Sequence, residues 1–318
     1  MRKVLNIALG LAASTAAAAV AAWWWLSRPA PLSPEAFARA YATPLPPPPA
    51  DLAIYHLGHS LVGRDMPAML AQLGGHDYAL QLGWGASLQG HWTGEVPGFA
   101  EENANPRFRP ALHAIDSGAY PVVVMTEMVE IRDAIRYFDS ATHLAKWAAR
   151  SRTARPDARI YLYETWHPLD DPEGWLTRLD LDLARYWQDG LLRPAMARDG
   201  VGTIHVIPGG QVMAATVRAA EAGQVPGLTD RRQLFGSAAD GSPDQIHFND
   251  LGAYLMALTH YATIYQRSPL GLPHALARAD GSPITPIAPE TAAALQRIVW
   301  QVVSGYAATG IGAAAQGG

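Results

Sequence analysis

Short apolar runs that alternate with longer helix-like segments constrain the fold of this chain more than any other feature. The apolar runs are rich in Val, Ile, Leu and Tyr and cover residues 53–57, 78–83, 122–126, 159–164 and 203–207. The helix-like segments cover residues 65–73, 109–116, 139–151, 175–197, 211–222, 250–266 and 290–306. Strands and helices that alternate in this way are typical of a parallel sheet with helices on both faces. We therefore predict an α/β fold, a three-layer α/β/α sandwich with about five mostly parallel strands.

Residues suited to chemistry or binding follow four of the apolar runs. Ser60, Gly85, Glu127 and Trp166 each come shortly after a predicted strand. Ligands of open parallel sheets bind beyond the carboxyl ends of the strands. We therefore expect these four residues to converge on one edge of the sheet.

Ser60 and a distant Asp-x-x-His sequence supply the parts of a nucleophilic site. Ser60 follows an apolar strand and a Gly and precedes a helix, and a sharp strand-to-helix turn exposes a serine hydroxyl. Taken alone, Ser60 could equally cap that helix. Asp244 and His247 lie three residues apart, so the carboxylate can orient the imidazole as a base for a hydroxyl. Together the three residues predict a Ser-His-Asp triad.

These two stretches resemble the SGNH/GDSL hydrolase family. Gly58-His59-Ser60-Leu61 is similar to the family's Gly-Asp-Ser block, with His59 in the place of Asp. Asp244-Gln245-Ile246-His247 is similar to its last block. The resemblance implies a flavodoxin-like SGNH hydrolase fold and ester hydrolysis. It also implies Ser60 as nucleophile, His247 as general base and Asp244 as the partner that orients this base.

The resemblance also implies an oxyanion hole, in which this chain departs from the family. Gly85, with Gly83 as second choice, stands where the family's second block places a backbone donor beside that of the nucleophile. The family's Gly-x-Asn-Asp block is absent, and Glu127 is nearest to the missing Asn. A protonated Glu127 could donate to the oxyanion, or it could bind a substrate hydroxyl. Alternatively Asn103 or Asn105 donates, or two backbone N–H groups suffice.

Aromatic residues near the strand ends predict a binding surface. Trp84, Trp92 and Trp166 could stack on sugar rings or acyl groups, although each could equally serve in packing. His167 adds a polar group to the same surface. No cofactor is expected, because phosphate-binding glycine motifs are missing from the sequence. A catalytic metal is not expected either, since the histidines lack the spacing of a ligand set.

The N-terminal segment, residues 1–28, predicts export. Arg2 and Lys3 precede an apolar stretch at residues 5–26 that is long enough to cross a bilayer. Trp23-Trp24-Trp25 at its far end suits a membrane interface and favours a retained anchor with the N-terminus in the cytoplasm. A cleaved signal peptide is the alternative, because small residues around Ala19 resemble a cleavage site. Either interpretation places the remainder in the periplasm or outside the cell, as a membrane-anchored or a secreted protein.

The remaining sequence divides into three parts. Residues 29–50 are rich in Pro and predict a stiff tether, residues 51–306 form the hydrolase-like domain, and residues 307–318 form a disordered Gly/Ala-rich tail. The chain has no Cys, which excludes disulfides and cysteine metal sites. A net charge of −4 gives no indication of a nucleic-acid partner. The oligomeric state stays open.

These features favour an exported serine ester hydrolase that acts through an acyl-enzyme, with O-acyl groups of carbohydrate as a substrate class. An acyltransferase to a glycan would need the same triad. A non-catalytic envelope protein that binds a glycan or a partner is the third hypothesis, and the missing Asn donor motivates it.

Overall fold

The fold was analysed in a computed structural model, in which residues 29–238 and 240–312 are described. The strands are β1 (Ala53–His59), β2 (Asp77–Gly83), β3 (Val122–Met125), β4 (Arg159–Glu164), β5 (Ile204–Pro208), β6 (Phe235–Ser237) and β7 (Pro243–Phe248). The helices up to β5 are α1 (Pro34–Ala40), α2 (Asp65–Gly74), α3 (Leu88–Thr93), α4 (Phe99–Asn103), α5 (Ala111–Asp116), α6 (Ile131–Tyr137), α7 (Ser140–Ala154), α8 (Trp175–Asp182) and α9 (Arg193–Met196). After β5 come α10 (Gly209–Glu221), α11 (Asp250–Tyr265) and α12 (Pro289–Gly305).

Five strands form one parallel sheet in the order β2-β1-β3-β4-β5. Strand β1 pairs with β2 on one side and with β3 on the other, so the residue after β1 lies near the middle of the carboxyl edge. Helices cover both faces, and the predicted three-layer α/β/α sandwich is confirmed. Strands β6 and β7 form a separate antiparallel hairpin.

The two cores follow from side chains that alternate between the two faces of the sheet. Val122 and Val124 of β3 face one core, which is completed by α2, α10, α11 and α12. Val123 and Met125 face the other core, which contains side chains of α5, α7 and the helical segment from Leu183 to Met196. Strands buried on both faces explain why the sequence shows continuous apolar runs instead of alternating ones.

Part of the Pro-rich segment 29–50, which was predicted to be a stiff tether, packs on the domain. Ser33 caps α1 by accepting a hydrogen bond from the backbone N–H of Ala36 at 3.1 Å, and Pro34 opens the helix. Phe37 and Tyr41 are buried against the sheet's second core. The Tyr41 hydroxyl also donates to the carbonyl of Ile204 at 2.7 Å. The Pro-rich composition predicted a stiff segment, but it could not show that Phe37 and Tyr41 pack against the domain.

The end of the domain also differs from the expected disordered tail. Residues 307–309 form a 3-10 turn, and Ala308 and Thr309 are buried. The carbonyl of Gly310 accepts a hydrogen bond from the backbone N–H of Leu45 at 2.9 Å, so this end of the chain is tied to the Pro-rich segment. Residues 313–318 lie outside the described residues.

The predicted membrane segment, residues 1–28, also lies outside the described residues. Among the helices of residues 29–238 and 240–312, none is long and apolar enough to cross a membrane.

Helices α3, α4 and α6 and the hairpin strands β6 and β7 had no counterpart in the sequence prediction. The helices α3, α4 and α6 have five to seven residues each, which is too short for a reliable 3.6-residue periodicity. Residues 243–248, which carry the Asp-x-x-His sequence, form strand β7 of the hairpin, and no strand was predicted there. That hairpin brings the Asp-x-x-His sequence to the sheet.

Candidate active site

Ser60 lies in the turn that directly follows β1. The backbone N–H groups of Val62 and Gly63 donate to the carbonyl of His59 at 2.9 and 3.3 Å, which closes the turn. A side chain at Gly58 would approach Thr126 at 2.6 Å, so the strand end requires glycine there. Ser60 is partly exposed as a result of this turn. The sequence therefore folds locally into the strand-to-helix turn that presents a hydroxyl.

His247 links Ser60 and Asp244 in one hydrogen-bonded row. The Nε2 atom of His247 lies 3.0 Å from Ser60 Oγ, and its Nδ1 atom lies 2.9 Å from Asp244 Oδ2. With Asp244 ionised, Nδ1 carries the proton and Nε2 is left to accept from the hydroxyl. Half of the His247 side chain is exposed, so the row is open to solvent. Chemically, the arrangement can deprotonate a serine hydroxyl.

Asp244 is kept in its ionised form by the residues that follow it. Burial raises the pKa of this carboxyl, but the backbone N–H groups of His247 and Ile246 and the His247 imidazole together outweigh burial, and the pKa is lowered overall. Both N–H groups donate to Asp244 Oδ1 at 2.8 Å. The charged form is thereby favoured, as an orienting carboxylate requires.

The hairpin that carries Asp244 and His247 is fixed by side chains on two sides. Trp166, after β4, donates from its indole Nε1 to the carbonyl of Ile246 at 2.9 Å. Asn249 caps α11 by accepting from the N–H groups of Leu251 and Gly252, and its amide donates to the carbonyl of Phe235 at 3.0 Å. The Asn249 cap therefore joins the hairpin to α11 immediately after His247.

His59, which precedes Ser60, stabilises the turn around Ser60 through hydrogen bonds of its imidazole ring. Its Nδ1 accepts from the N–H of Leu61 at 3.3 Å, so Nε2 carries the proton and donates to the carbonyl of Glu127 at 2.9 Å. The ring is fully buried, and burial lowers the pKa of His59 to about 4. His59 is therefore neutral near pH 7 and connects the ends of β1 and β3. Its adjacency to Ser60 was the only signal for this role in the sequence.

His91 supports the same strand end. Its Nδ1 faces the amide of Gln81 at 2.9 Å, and its Nε2 faces the carbonyl of Gly58 at the same distance. Burial lowers the pKa of His91 to about 4. Two neutral imidazoles, those of His59 and His91, thus bond to the backbone on either side of Ser60, at Leu61 and Gly58.

The candidate oxyanion donors differ in availability. Gly85 is exposed with φ of +54° in the loop after β2, and an added Cβ would meet nothing within 4 Å. Gly83, in contrast, is buried at the strand end, where an added Cβ would clash with Val96 at 2.3 Å. Gly85 is therefore open to solvent, whereas Gly83 serves close packing.

The two Asn candidates have their amides engaged within the fold. Asn103 accepts from the N–H of Leu82 at 3.0 Å and donates to the carbonyls of Leu82 and Phe99 at 2.8 Å. Asn105 donates to the carbonyl of Glu102 at 3.0 Å. These bonds hold α4 and the following turn against β2.

Glu127 points into the protein. Its Oε1 atom accepts from the backbone N–H groups of Leu88 and Met128 at 3.1 and 2.9 Å, and the side chain is fully buried. Burial raises the pKa of Glu127 to about 7, although these N–H groups act in the opposite direction. The carboxyl joins the loop after β3 to the start of α3, and the structure does not bring it to the open surface beside Ser60.

The three Trp candidates have different surroundings. Trp84 is 54 % exposed beside Gly85. Trp92 packs edge-on against Trp147 at 4.9 Å, and Trp166 is fully buried under the hairpin. Only Trp84 of these candidates offers a large open ring face.

His167 faces a buried charged cluster and not the site surface. Its Nε2 lies 2.9 Å from Asp182, and Asp182 pairs with Arg178 at 2.6 Å. Arg178 also pairs with Glu130 and Asp171, at 2.9 and 2.8 Å. The cluster holds together the loops after β3 and β4. The sequence analysis missed it, because its members are spread over two loops and one helix.

Within the described ranges, no group of three His, Cys, Asp or Glu side chains is arranged to hold a metal ion.

Comparison with known proteins supports the fold. No family profile matches the chain, and no curated protein matches it by sequence. The chain is similar to the solved structure of a DUF4886 family protein from Bacteroides uniformis. That match has a TM-score of 0.51 and 14% identity over 79% of this chain and 94% of the other. A candidate GDSL-like lipase from Parabacteroides merdae matches with a TM-score of 0.42 and 14% identity, over 67% of this chain and 95% of that chain.

The likeness to these structures concerns the fold alone. The chain has the α/β/α fold that its strand and helix pattern predicted, and this fold is similar to that of the DUF4886 family protein. What the site does is argued below from its own residues.

Proposed function

We propose that this protein is a serine ester hydrolase in which Ser60, His247 and Asp244 act as a triad. The observation that carries the proposal is the row of contacts from Asp244 through His247 to Ser60, at 2.9 and 3.0 Å. A hydroxyl, an imidazole and a carboxylate in this order are the parts that activate a serine.

The reaction proceeds through an acyl-enzyme. Ser60 Oγ attacks the ester carbonyl while His247 Nε2 takes its proton, and the same His then gives the proton to the leaving alcohol. Water attacks the acyl-enzyme with His247 again as the base, and the acid is released. Backbone N–H groups of Ser60 and Gly85 stabilise the oxyanion, and the open position of Gly85 supports this assignment.

We assign Glu127 a supporting part in this site. Its buried carboxyl orders the loop after β3 through Leu88 and Met128. An oxyanion hole of two backbone donors is therefore the arrangement we favour over one completed by Glu127.

The substrate that we favour is an O-acyl group on a carbohydrate. The exposed Trp84 beside Gly85 supports a sugar-bearing alcohol, because an open indole face accommodates a ring. We further propose that the chain is exported and held at the membrane by residues 1–28, through the basic and apolar pattern described above. Alkaline extraction of membranes separates a retained anchor, which stays with the lipid, from a secreted form.

Labelling with a fluorophosphonate probe tests the activated serine. We expect the full chain to be labelled, Ser60→Ala to lose the label, and Ser242→Ala, an exposed serine of the hairpin turn, to keep it. A folded wild-type protein that does not react would contradict the proposal and favour the non-catalytic envelope protein. If labelling succeeds, acetylated acceptor instead of free acetate among the products would identify an acyltransferase.

A further inference from the structure

Trp84 is a large apolar side chain that the fold holds open at the edge of the site. Its side chain is 54 % exposed, although the residue directly follows the buried strand β2. Burying an aromatic side chain stabilises a protein, so an indole held in the open forgoes that stabilisation. A binding role would offset that cost.

One face of the indole rests on Gly98. A Cβ atom added to Gly98 would lie 2.2 to 2.5 Å from three ring atoms of Trp84, and Gly98 has φ of +63°. Only a glycine backbone can therefore lie so close beneath this ring. The opposite face is left to solvent.

The ring is also fixed at its edge and at its backbone. The indole Nε1 donates to Glu102 Oε1 at 3.0 Å, and the backbone N–H donates to the carbonyl of Pro97 at 2.8 Å. Glu102 belongs to α4, which Asn103 fastens to β2 through Leu82. Because the ring is anchored before a ligand arrives, binding costs little side-chain entropy.

Trp84 and Ser60 follow the ends of two adjacent strands. His59 pairs with Gly83 at the ends of β1 and β2, so the backbones of Ser60 and Trp84 leave the carboxyl edge of the sheet at neighbouring positions. Arg64, four residues after Ser60, donates to the carbonyl of Glu101 in α4. The nucleophile turn and the support of Trp84 are thus tied together.

We propose that the open face of Trp84 is a stacking platform for a pyranose ring, the alcohol part of the ester that reacts at Ser60. The proposal rests on the proposed function and adds to it the subsite that binds the sugar and the part of the ester that occupies it. A pyranose has an apolar C–H face and a polar rim. The apolar indole face matches the C–H face of the sugar. The carboxylate of Glu102 at the edge of the indole, and Arg64, which bonds to the same helix, match its polar rim. A long acyl chain would instead need an enclosed apolar pocket, which an open platform does not provide.

Two esters with the same acyl group and different alcohols test the platform. The pair is methyl 6-O-acetylglucopyranoside and ethyl acetate, which has no ring to stack. For Trp84→Ala we expect kcat/KM on the sugar ester to fall about tenfold, mainly through KM, with less than about twofold change on ethyl acetate. Trp84→Phe keeps a smaller stacking surface and should recover part of the loss.

Two further variants separate the ring from general damage. Gly98→Ala forces the ring off its seat while the Trp is kept, so it should reproduce the sugar-specific loss. Tyr137→Ala removes another exposed aromatic, 62 % exposed on α6, and should leave both esters unaffected. Equal losses on both esters in Trp84→Ala, or an unchanged sugar ester, would overturn the platform.

Binding without turnover distinguishes failure of the platform from failure of the enzyme proposal. In the Ser60→Ala protein, saturation-transfer NMR with methyl glucopyranoside should detect contact between the protein and the C–H face of the sugar. In the double variant Ser60→Ala, Trp84→Ala this contact should be absent. Contact that depends on Trp84, together with a folded wild-type protein that hydrolyses neither ester, would sustain the platform and refute the hydrolase. Esterase activity in the wild type, with neither sugar contact nor sugar preference that depends on Trp84, would sustain the hydrolase and refute the platform.

Discussion

Trp166 donates a hydrogen bond from its indole Nε1 to the carbonyl of Ile246 at 2.9 Å, one residue before His247. Trp166 follows β4 of the parallel sheet, whereas Ile246 lies in the separate hairpin. A buried indole therefore connects the sheet that carries Ser60 to the strand that carries the other two members of the row. A residue expected to touch substrate instead holds the proposed base in position.

Trp166→Phe should lower catalysis more than its stability cost predicts. The variant keeps most of the packing and loses one hydrogen bond, worth about 1 kcal/mol, so unfolding in urea should shift modestly. With the hairpin less firmly held, kcat should fall about tenfold. The matched control is Trp175→Phe, in which another buried Trp loses a bond to the carbonyl of His167 at 2.8 Å. Equal effects of the two variants on kcat would contradict a positioning role.

Asp244→Asn should nearly abolish turnover and leave the fold intact. The amide cannot favour the His247 tautomer that leaves Nε2 free, and this change in a triad costs on the order of 10⁴ in kcat. Circular dichroism and steady-state kinetics check the two parts of the prediction. Asp240→Asn, at an exposed position of the same hairpin turn, is the control and should keep full activity. If Asp244→Asn kept a tenth or more of the wild-type kcat, this carboxylate would be excluded from the mechanism.

Glu127→Gln should stabilise the protein at alkaline pH. Burial raises the pKa of Glu127 from 4.5 to about 7. Between pH 4.5 and about pH 7, the folded state therefore keeps the proton on this carboxyl, whereas the unfolded state has lost it. The contribution of Glu127 to stability is therefore full below pH 4.5 and declines as the pH rises to about 7, by about 3 kcal/mol. Gln keeps the acceptor for Leu88 and Met128 without the charge. Its stability should exceed that of wild type at pH 8.

Urea unfolding between pH 4 and 8 measures this difference. Below pH 4.5 both proteins carry a neutral side chain at position 127, so their stability curves should run parallel there as an internal control. Parallel curves over the whole range would show that Glu127 titrates alike in both states. Turnover in Glu127→Gln should stay within about threefold of wild type, because the bonds of Oε1 are structural.

Phe37→Ala should destabilise the whole domain. Phe37 is 9 % exposed and packs edge-on against Tyr41 at 5.1 Å, so its removal leaves a cavity worth about 3 kcal/mol. Thermal unfolding is the measurement, and Leu181→Ala, at a 59 % exposed position, is the control with little expected change. If Phe37→Ala unfolds like wild type, the packing of Phe37 contributes nothing to the stability of the domain.

The sequence by itself determined the sheet and the two motifs of the site. Short runs such as 122–126 are too apolar for an exposed strand, and their alternation with helices leaves few topologies besides a parallel sheet. Ser60 and the Asp244–His247 pair were identifiable because their chemistry depends on local spacing, even though Ser60 and His247 are separated by 187 positions. The structure brings the three together, and their catalytic role stays a prediction.

Only the tertiary structure decided which neighbouring side chains face the site. Trp84, Trp92 and Trp166 look alike in the sequence, yet one is open, one is packed on Trp147 and one lies under the hairpin. Glu127 turns inward to two backbone N–H groups. The direction of a side chain at a strand end depends on what packs against it from distant segments, and local sequence does not contain that information. For the same reason, the docking of Phe37 could not be predicted from a Pro-rich composition.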